Sequence, residues 1–270
     1  MKIFGILNIT EDSFSDGNRF LAPDAAIAHA KALLRDGSDV LDIGGASSNP
    51  DAKAVPPAEE IARLAPVLDA LRQEGASVSV DSFAPEVQRW ALTQAVDYLN
   101  DIHGFAEPLL YPALAVARCK LVVMHAVQAR GRASRVDIPP AEIFGRCIAF
   151  LDQRIAALTE AGVDRDRLIL DPGMGFFLGS DPQASFEMLR RLGELKDRCG
   201  LPVLVSVSRK SFLRRLTGRG PREAGAASLA AELFAVLQGA DYIRTHEPAP
   251  LKDACAVWQA LAPETHRNPA

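Results

Sequence analysis

Eight short apolar runs in this chain end in polar or charged residues, and that repetition constrains the fold more than any other feature. Residues 3–7 lead into Asn8, 40–41 into Asp42, 78–80 into Asp81, and 98–99 into Asn100 and Asp101. Residues 121–124 lead into His125 and 168–170 into Asp171. Residues 203–207 lead into Ser208, Arg209 and Lys210, and 242–243 into Arg244 and His246. Each run has the length and composition of a buried strand. Strands that all carry polar groups at one end describe a (β/α)8 barrel, an α/β fold whose chemistry gathers at the carboxyl ends of its strands. The rival is a doubly wound open sheet, which places a ligand at one switch point rather than at every strand end.

The segments between the runs read as helices. Pro23-Asp24 opens one over 25–34, and Pro56-Pro57 opens one over 58–71. The second carries Ile61, Leu64, Ala65, Leu68 and Leu71 as the stripe of a helix lying on a sheet. Others follow Pro85, span 141–158, 183–195 and 224–237, and start at Pro250. The tight spacing between the third and fifth strands requires short helices there. Strand–helix alternation forces parallel pairing. At 270 residues and 48% apolar content, the chain suits a single barrel domain over residues 1–270.

A net charge of −4 gives no global field for nucleic acid, so an anionic ligand must be held by local Arg and Lys. The four scattered cysteines contain no CxxC pair and read as buried thiols. The N-terminus runs straight into the first strand, and no run is long enough to span a bilayer. A cytoplasmic protein is expected.

The candidate site residues sit at the strand ends. Asp81, Asn100 and Asp171 offer acceptors and donors for a guanidine-like heterocycle edge. Lys210 and Arg244-Thr245-His246 follow the seventh and eighth strands, where this fold often binds phosphate. The long polar loop from Asn8 to Gly17 carries one aromatic, Phe14, and reads as a lid. Asp171-Pro172-Gly173-Met174-Gly175-Phe176-Phe177 combines two turn glycines with two aromatics, one of which should face the mouth. His125 reads as a hydrogen-bonding wall residue rather than a base. Arg214, Arg215, Arg219 and Arg222 read as a solvated basic face. There is no GxSxG elbow and no P-loop.

These motifs resemble the dihydropteroate synthase family from Phe4 to His246. The matching segments include Gly5-Ile6-Leu7-Asn8, Asp42-Ile43-Gly44-Gly45, Asp81-Ser82, Asn100-Asp101-Ile102, Met124-His125, Asp171-Pro172-Gly173, Ser208-Arg209-Lys210-Ser211 and Arg244-Thr245-His246. The resemblance implies condensation of hydroxymethyl-dihydropterin pyrophosphate with p-aminobenzoate in folate synthesis, using Mg²⁺, in a homodimer. It implies that Asp81, Asn100, Met124, Asp171 and Lys210 hold the pterin, with Asp81, Asp171 and Lys210 catalytic. Asn8, Arg244 and His246 would meet the pyrophosphate, with Asn8 near the metal. Phe14, Ser48, Pro50, Phe176, Phe177 and Ser211 would border p-aminobenzoate. Two segments depart from the family pattern. Ser47-Ser48-Asn49-Pro50-Asp51 lacks the usual Arg of the second loop, and Gly175-Phe176-Phe177-Leu178-Gly179 carries an added aromatic. Both are similar to the sulfonamide-resistance synthases carried on mobile elements. A pterin-dependent methyltransferase and a non-catalytic pterin-binding paralogue are the alternatives.

Overall fold

The computed structural model describes residues 1–10, 23–128 and 131–262. Its eight strands are β1 (Lys2–Asn8), β2 (Val40–Gly44), β3 (Val78–Asp81), β4 (Tyr98–Asp101), β5 (Lys120–Met124), β6 (Leu168–Asp171), β7 (Leu204–Val205) and β8 (Tyr242–Thr245). They form one parallel sheet in the order β6-β5-β4-β3-β2-β1-β8-β7. A bridge between Leu170 and Val203 brings the two edges together, and the Leu170 amide donates to Pro202 O at 2.9 Å. The result is a nearly closed (β/α)8 barrel; the open-sheet alternative is excluded.

The two-residue period of a strand sorts its side chains. Outward residues such as Leu7, Leu41, Val80, Leu99, Val123 and Leu170 join the large core beneath the helices. Inward residues Phe4, Val40, Tyr98, Val122, Ile169, Leu204 and Tyr242 form a separate apolar plug. Phe4 anchors it, with edge-on contacts to Tyr98 at 5.0 Å and Tyr242 at 5.6 Å between ring centroids. Two residues further along those strands come Asp42, Asn100, Met124, Asp171, Ser206 and Arg244. The apolar plug is therefore the floor of a polar layer at the carboxyl end.

The helices are α1 (Pro23–Arg35), α2 (Pro57–Gln73), α3 (Pro85–Thr93), α4 (Tyr111–Val116) and α5 (Pro140–Glu160), followed by α6 (Pro182–Arg190), α7 (Leu192–Cys199), α8 (Ser211–Thr217), α9 (Gly225–Leu237) and α10 (Pro248–Leu261). Leu64, Leu68 and Leu71 of the expected stripe are buried on α2, joined by Val67. The helices α3 and α4 are short, with 9 and 6 residues. The helix expected over 183–195 is two helices broken at Arg191, which leaves the αR region at φ −104° and ψ 15°. The last helix begins at Pro248 rather than Pro250, because prolines are tolerated throughout a first turn. Of the cysteines, Cys119, Cys147 and Cys199 are buried and Cys255 is half-buried, and all four are free thiols. Among the described residues, no helix is long and apolar enough to cross a membrane.

Replacing the plug's anchor tests this description. Phe4→Ala is expected to remove about 3–5 kcal/mol of stability, the usual loss for a fully buried aromatic. Equilibrium denaturation measures it, and a loss under about 1 kcal/mol would contradict the plug as a structural unit.

Candidate active site

The polar layer concentrates charge in a small buried volume. Arg244 donates through Nε to Asp42 Oδ2, and through Nη2 to Asp81 Oδ2 at 2.6 Å. Burial opposes its charge, but Asp42 and Asp81 hold its pKa above the ordinary arginine value. Burial pushes the Asp81 carboxyl up to about 7, against the pull of Arg244 and with Asp42 adding to the rise. Burial likewise lifts Asp171 to about 6, although its Oδ1 accepts the Gly173 amide at 2.7 Å and Lys210 lies close by. Lys210 is lowered to about 8 by burial, with Arg244 repelling its ammonium and Asp171 and Asp81 opposing the fall. Burial thus works against ionisation of two acids and one base within one cleft.

That cleft is lined by Ser48, Asp81, Asn100, Ile102, Met124, Asp171, Met174, Phe177, Ser206, Lys210 and Arg244. Its walls are apolar: Ile102, Met124 and Phe177 belong to one small cluster, with Phe83 and Phe176 against it. The Lys210 ammonium lies 4.8 Å from the Phe177 ring centroid, a cation–π contact. Among the described residues, the buried Asn100 Oδ1 and Ser206 Oγ have no hydrogen-bond partner. Buried acceptors without partners are costly, and a ligand with polar edges removes that cost. A slot between apolar walls with such groups at its base suits a flat heterocycle.

The turn after β6 is fixed by sterics. Gly173 has φ +73°, and a Cβ there would lie 2.3 Å from His125 O. Burial lowers the His125 imidazole to about 4, so it is neutral, and its Nδ1 meets Pro172 O at 3.1 Å. It is hydrogen-bonded as expected from the sequence, but it does not line the cleft described above.

The rim holds the remaining candidates. Asn8 is exposed at the end of β1. His246 Nδ1 lies 3.0 Å from Ser208 Oγ, which also accepts the His246 backbone N–H at 3.2 Å. Burial, followed by Arg209, Arg244 and Lys210, lowers this imidazole to about 3. Of the residues expected at p-aminobenzoate, Ser48 and Phe177 line the cleft, whereas Phe176 is half-exposed beside it under the Arg135 guanidinium at 5.5 Å. Pro50 is half-buried in the second loop, outside the cleft lining. Ser211 lies in a smaller neighbouring cleft with Gly175, Ser180 and Arg215. Phe14 lies outside the described residues. The basic face is solvated as expected, with Arg215, Arg219 and Arg222 exposed and Arg214 half-buried; Arg215 also donates to Ser180 O at 2.7 Å.

The second loop, which lacks its usual Arg, is held from the segment after β5. Arg132 donates to Ser47 O at 3.2 Å and to Ala52 O at 2.7 Å, Arg135 pairs with Asp51, and the Ala133 amide donates to Ser48 O at 3.1 Å. No local sequence signal marks either arginine. Ile102 and Ser206 also line the cleft; each follows an inward residue by two, so strand periodicity marks them. Among the described residues, no three His, Cys, Asp or Glu side chains converge as a metal cage. The Asn8 carboxamide offers a hard oxygen of the kind a divalent cation would take.

Comparison with known proteins agrees with this geometry. A family model described as "Pterin binding enzyme" matches residues 4–246. The chain is 61% identical over 259 residues to dihydropteroate synthase type-2 of Escherichia coli, covering 96% of this chain and 95% of that protein. It superposes on the Xanthomonas albilineans dihydropteroate synthase with 4-aminobenzoic acid at a TM-score of 0.87 and 39% identity, covering 97% of this chain and 94% of that one. The structure of that enzyme in complex with 7,8-dihydropteroate gives a TM-score of 0.84 at 38% identity, with the same coverage.

The β6 turn carries a stability test. Gly173→Ala is expected to lose about 1–3 kcal/mol from backbone strain alone, before the contact with His125 O is relieved. Unchanged stability in equilibrium denaturation would contradict the turn geometry.

Proposed function

The chain belongs to the dihydropteroate synthases, transferases of folate biosynthesis within the pterin-binding enzymes, and from that premise we propose how its residues divide the reaction. The substrates are 6-hydroxymethyl-7,8-dihydropterin pyrophosphate and p-aminobenzoate. The heterocycle lies in the slot, its guanidine-like edge on Asp171, Asn100 and Asp81, its face along Met124 and its carbonyl edge toward Lys210. The single observation that carries this reading is the convergence of those five side chains in one apolar-walled cleft, with Asn100 Oδ1 left unpartnered.

The pyrophosphate meets Arg244 and His246 at the rim, where Asn8 would help hold Mg²⁺. Bound Mg²⁺ neutralises charge on the leaving group. The bond between the pterin methylene carbon and the pyrophosphate oxygen breaks first, and the electron pair leaves with pyrophosphate. Asp81 and Asp171 supply negative potential beside the methylene cation, and Arg244 stabilises the departing oxygens. The p-aminobenzoate nitrogen then forms the C–N bond and gives up one proton, so no strong base is required. The chain acts as one barrel domain over residues 1–270, in the cytoplasm, as a homodimer. Exposed Phe234, Leu237, Val257, Trp258 and Leu261 on α9 and α10 support the dimer.

Pyrophosphate release measured with and without p-aminobenzoate tests the activity, and release independent of the amine would overturn it. Lys210→Ala and Asp171→Asn are each expected to lower kcat/KM by at least ~100-fold, the scale of one preorganised electrostatic contact. Near-parent turnover in either folded variant removes that residue from the site.

The enzyme is also proposed to be insensitive to sulfonamides, which carry a bulkier group where p-aminobenzoate has a carboxylate. Of the two adjacent aromatics, Phe177 lines the cleft, and its ring lies under Lys210. A clash of ~3–4 kcal/mol there weakens a sulfonamide by about two to three orders of magnitude. Phe177→Gly is expected to lower the ratio of sulfonamide Ki to p-aminobenzoate KM toward that of a sensitive synthase. An unchanged ratio means that Phe177 does not exclude the drug.

A further inference from the structure

Three non-glycine residues have a positive φ among the described residues: Ala95, Phe105 and Arg209. Arg209 is the one that adjoins a site residue, Lys210. Its φ is 58°. It is the third residue of a tight turn, which the Lys210 amide closes by donating to Val207 O at 3.1 Å. A positive φ at that place is the type II pattern, and it ordinarily takes Gly or Asn because a Cβ is crowded there.

The turn carries two groups of the mouth. Ser208, before Arg209, accepts the His246 backbone N–H through Oγ at 3.2 Å. Lys210, after it, lines the cleft and sets its ammonium 4.8 Å from the Phe177 ring centroid. The Arg209 side chain does not line the cleft; its Nη2 lies 3.4 Å from Glu247 Oε1.

The Arg209 amide is what holds this conformation. It donates to Ser228 Oγ at 2.9 Å. Ser228, on α9, is 1% exposed, and its hydroxyl donates to Ala224 O at 2.7 Å. The ion pair with Glu247 is the weaker tether, because both its side chains remain partly exposed to solvent. Phe105 is held by the same device, its amide donating to the buried Asp101 Oδ2 at 2.8 Å.

We propose that Ser228 is a positioning residue for Lys210: by accepting the Arg209 N–H, it selects the one form of the 207–210 turn that delivers the Lys210 ammonium to the pterin slot. The proposal rests on the reading that Lys210 meets the pterin.

Turn geometry gives the reason. Types I and II differ by a flip of the peptide between the two central residues, here Ser208 and Arg209. Going from type II to type I, ψ of the second residue changes from about 120° to about −30°, and φ of the third from about 80° to about −90°. The flip exchanges the N–H and the carbonyl. In the observed form the Ser228 hydroxyl makes two bonds, accepting from Arg209 and donating to Ala224 O. In the flipped form the Ser208 carbonyl would face a hydroxyl whose single proton already goes to Ala224 O, so one of the two bonds is lost. The backbone of an L-residue favours the flipped form, and Ser228 opposes it. Glycine has no such preference. Without Ser228 the turn relaxes, and Lys210, which leaves the turn just beyond the flipped peptide, is no longer held in one orientation. Displacement by ~1 Å is enough to cost a large part of a rate.

The test is a double-mutant cycle in steady-state kinetics, on proteins shown to be folded at the assay temperature. Ser228→Ala is expected to lower kcat/KM for the pterin substrate by at least about tenfold. In an Arg209→Gly background the same substitution is expected to cost less than about threefold, because glycine keeps the turn without the anchor. Equal losses in the two backgrounds overturn the proposal, and so does parent-like turnover in Ser228→Ala. A crystal structure of Ser228→Ala is expected to show a negative φ at Arg209 and a displaced Lys210; a positive φ with Lys210 in place overturns the proposal. The parent alone also decides. Its Arg209 amide is expected to exchange hydrogen at least about a hundredfold more slowly than an unprotected amide. Exchange at the unprotected rate overturns the proposal even if Ser228→Ala does not fold. If Lys210→Ala turns over like the parent, the reading of Lys210 at the pterin falls and the proposal falls with it, whereas a slow Arg209 amide in the same protein shows that the Ser228 bond itself stands.

Discussion

The arrangement at the barrel mouth depends on Arg244 staying ionised between two carboxylates. Its Nε is committed to Asp42, which is fully buried, and its Nη2 to Asp81, whose side chain is 21% exposed on the cleft side. A buried ion pair is a poor source of net stability, because desolvation consumes most of the Coulombic gain. Removing one partner, however, leaves an uncompensated charge at a cost of several kcal/mol. The network is therefore better explained by binding than by folding. Its asymmetry matters here. Asp42 fixes the inner edge of the guanidinium, while Nη1 has no hydrogen bond among the described residues and Nη2 is held only by the more exposed acid. An anion at the rim can engage the outer edge without disturbing the inner one.

Much of this was legible in the sequence because strands alternate. Apart from Phe4, each inward apolar residue of the plug is followed two positions later by a residue of the mouth, among them Val40 by Asp42, Tyr98 by Asn100, Ile169 by Asp171 and Tyr242 by Arg244. A run ending in a polar residue therefore reports both the strand and the site. Ile102 and Ser206 lie on the same inward face, two positions beyond Asn100 and Leu204, but neither is the polar residue that ends a run, so the run-end pattern does not mark them. The seventh strand shows a different limit. Residues 203–207 read as a full strand, but only Leu204–Val205 pairs with β8, and the link to β6 is a single bridge. Closure of a barrel is a tertiary constraint with no local signature.

Glu232, Arg132 and Arg135 were invisible for a related reason. An isolated glutamate in the apolar segment Gly225–Leu237 reads as solvent-facing, since a buried carboxyl is costly in isolation. It is tolerated here because burial pushes its carboxyl up to about 7, which favours the neutral form. Arg132 acts on two carbonyls, and Arg135 on the Asp51 carboxylate, of a loop about eighty residues away. Side-chain contacts to a distant backbone leave no pattern in either segment.

The distribution of charge also explains why the two halves of the reaction can occupy one mouth. The groups at the slot base, Asp81 and Asp171, are raised by burial into the neutral range. A ligand that donates hydrogen bonds there lowers the cost of ionising them, and the Lys210 ammonium, lowered toward 8, is reinforced by the same event. Binding in the slot thus sharpens a charge separation that the free protein holds only partly. Negative potential gathers at the base, with the positive charge of Arg244 facing the rim. On the division of the reaction proposed above, a leaving anion is drawn outward along that gradient, while a developing cation is stabilised below it. The barrel supplies this preorganisation through strand register alone: Asp81 is level with Asn100, and Met124 with Asp171.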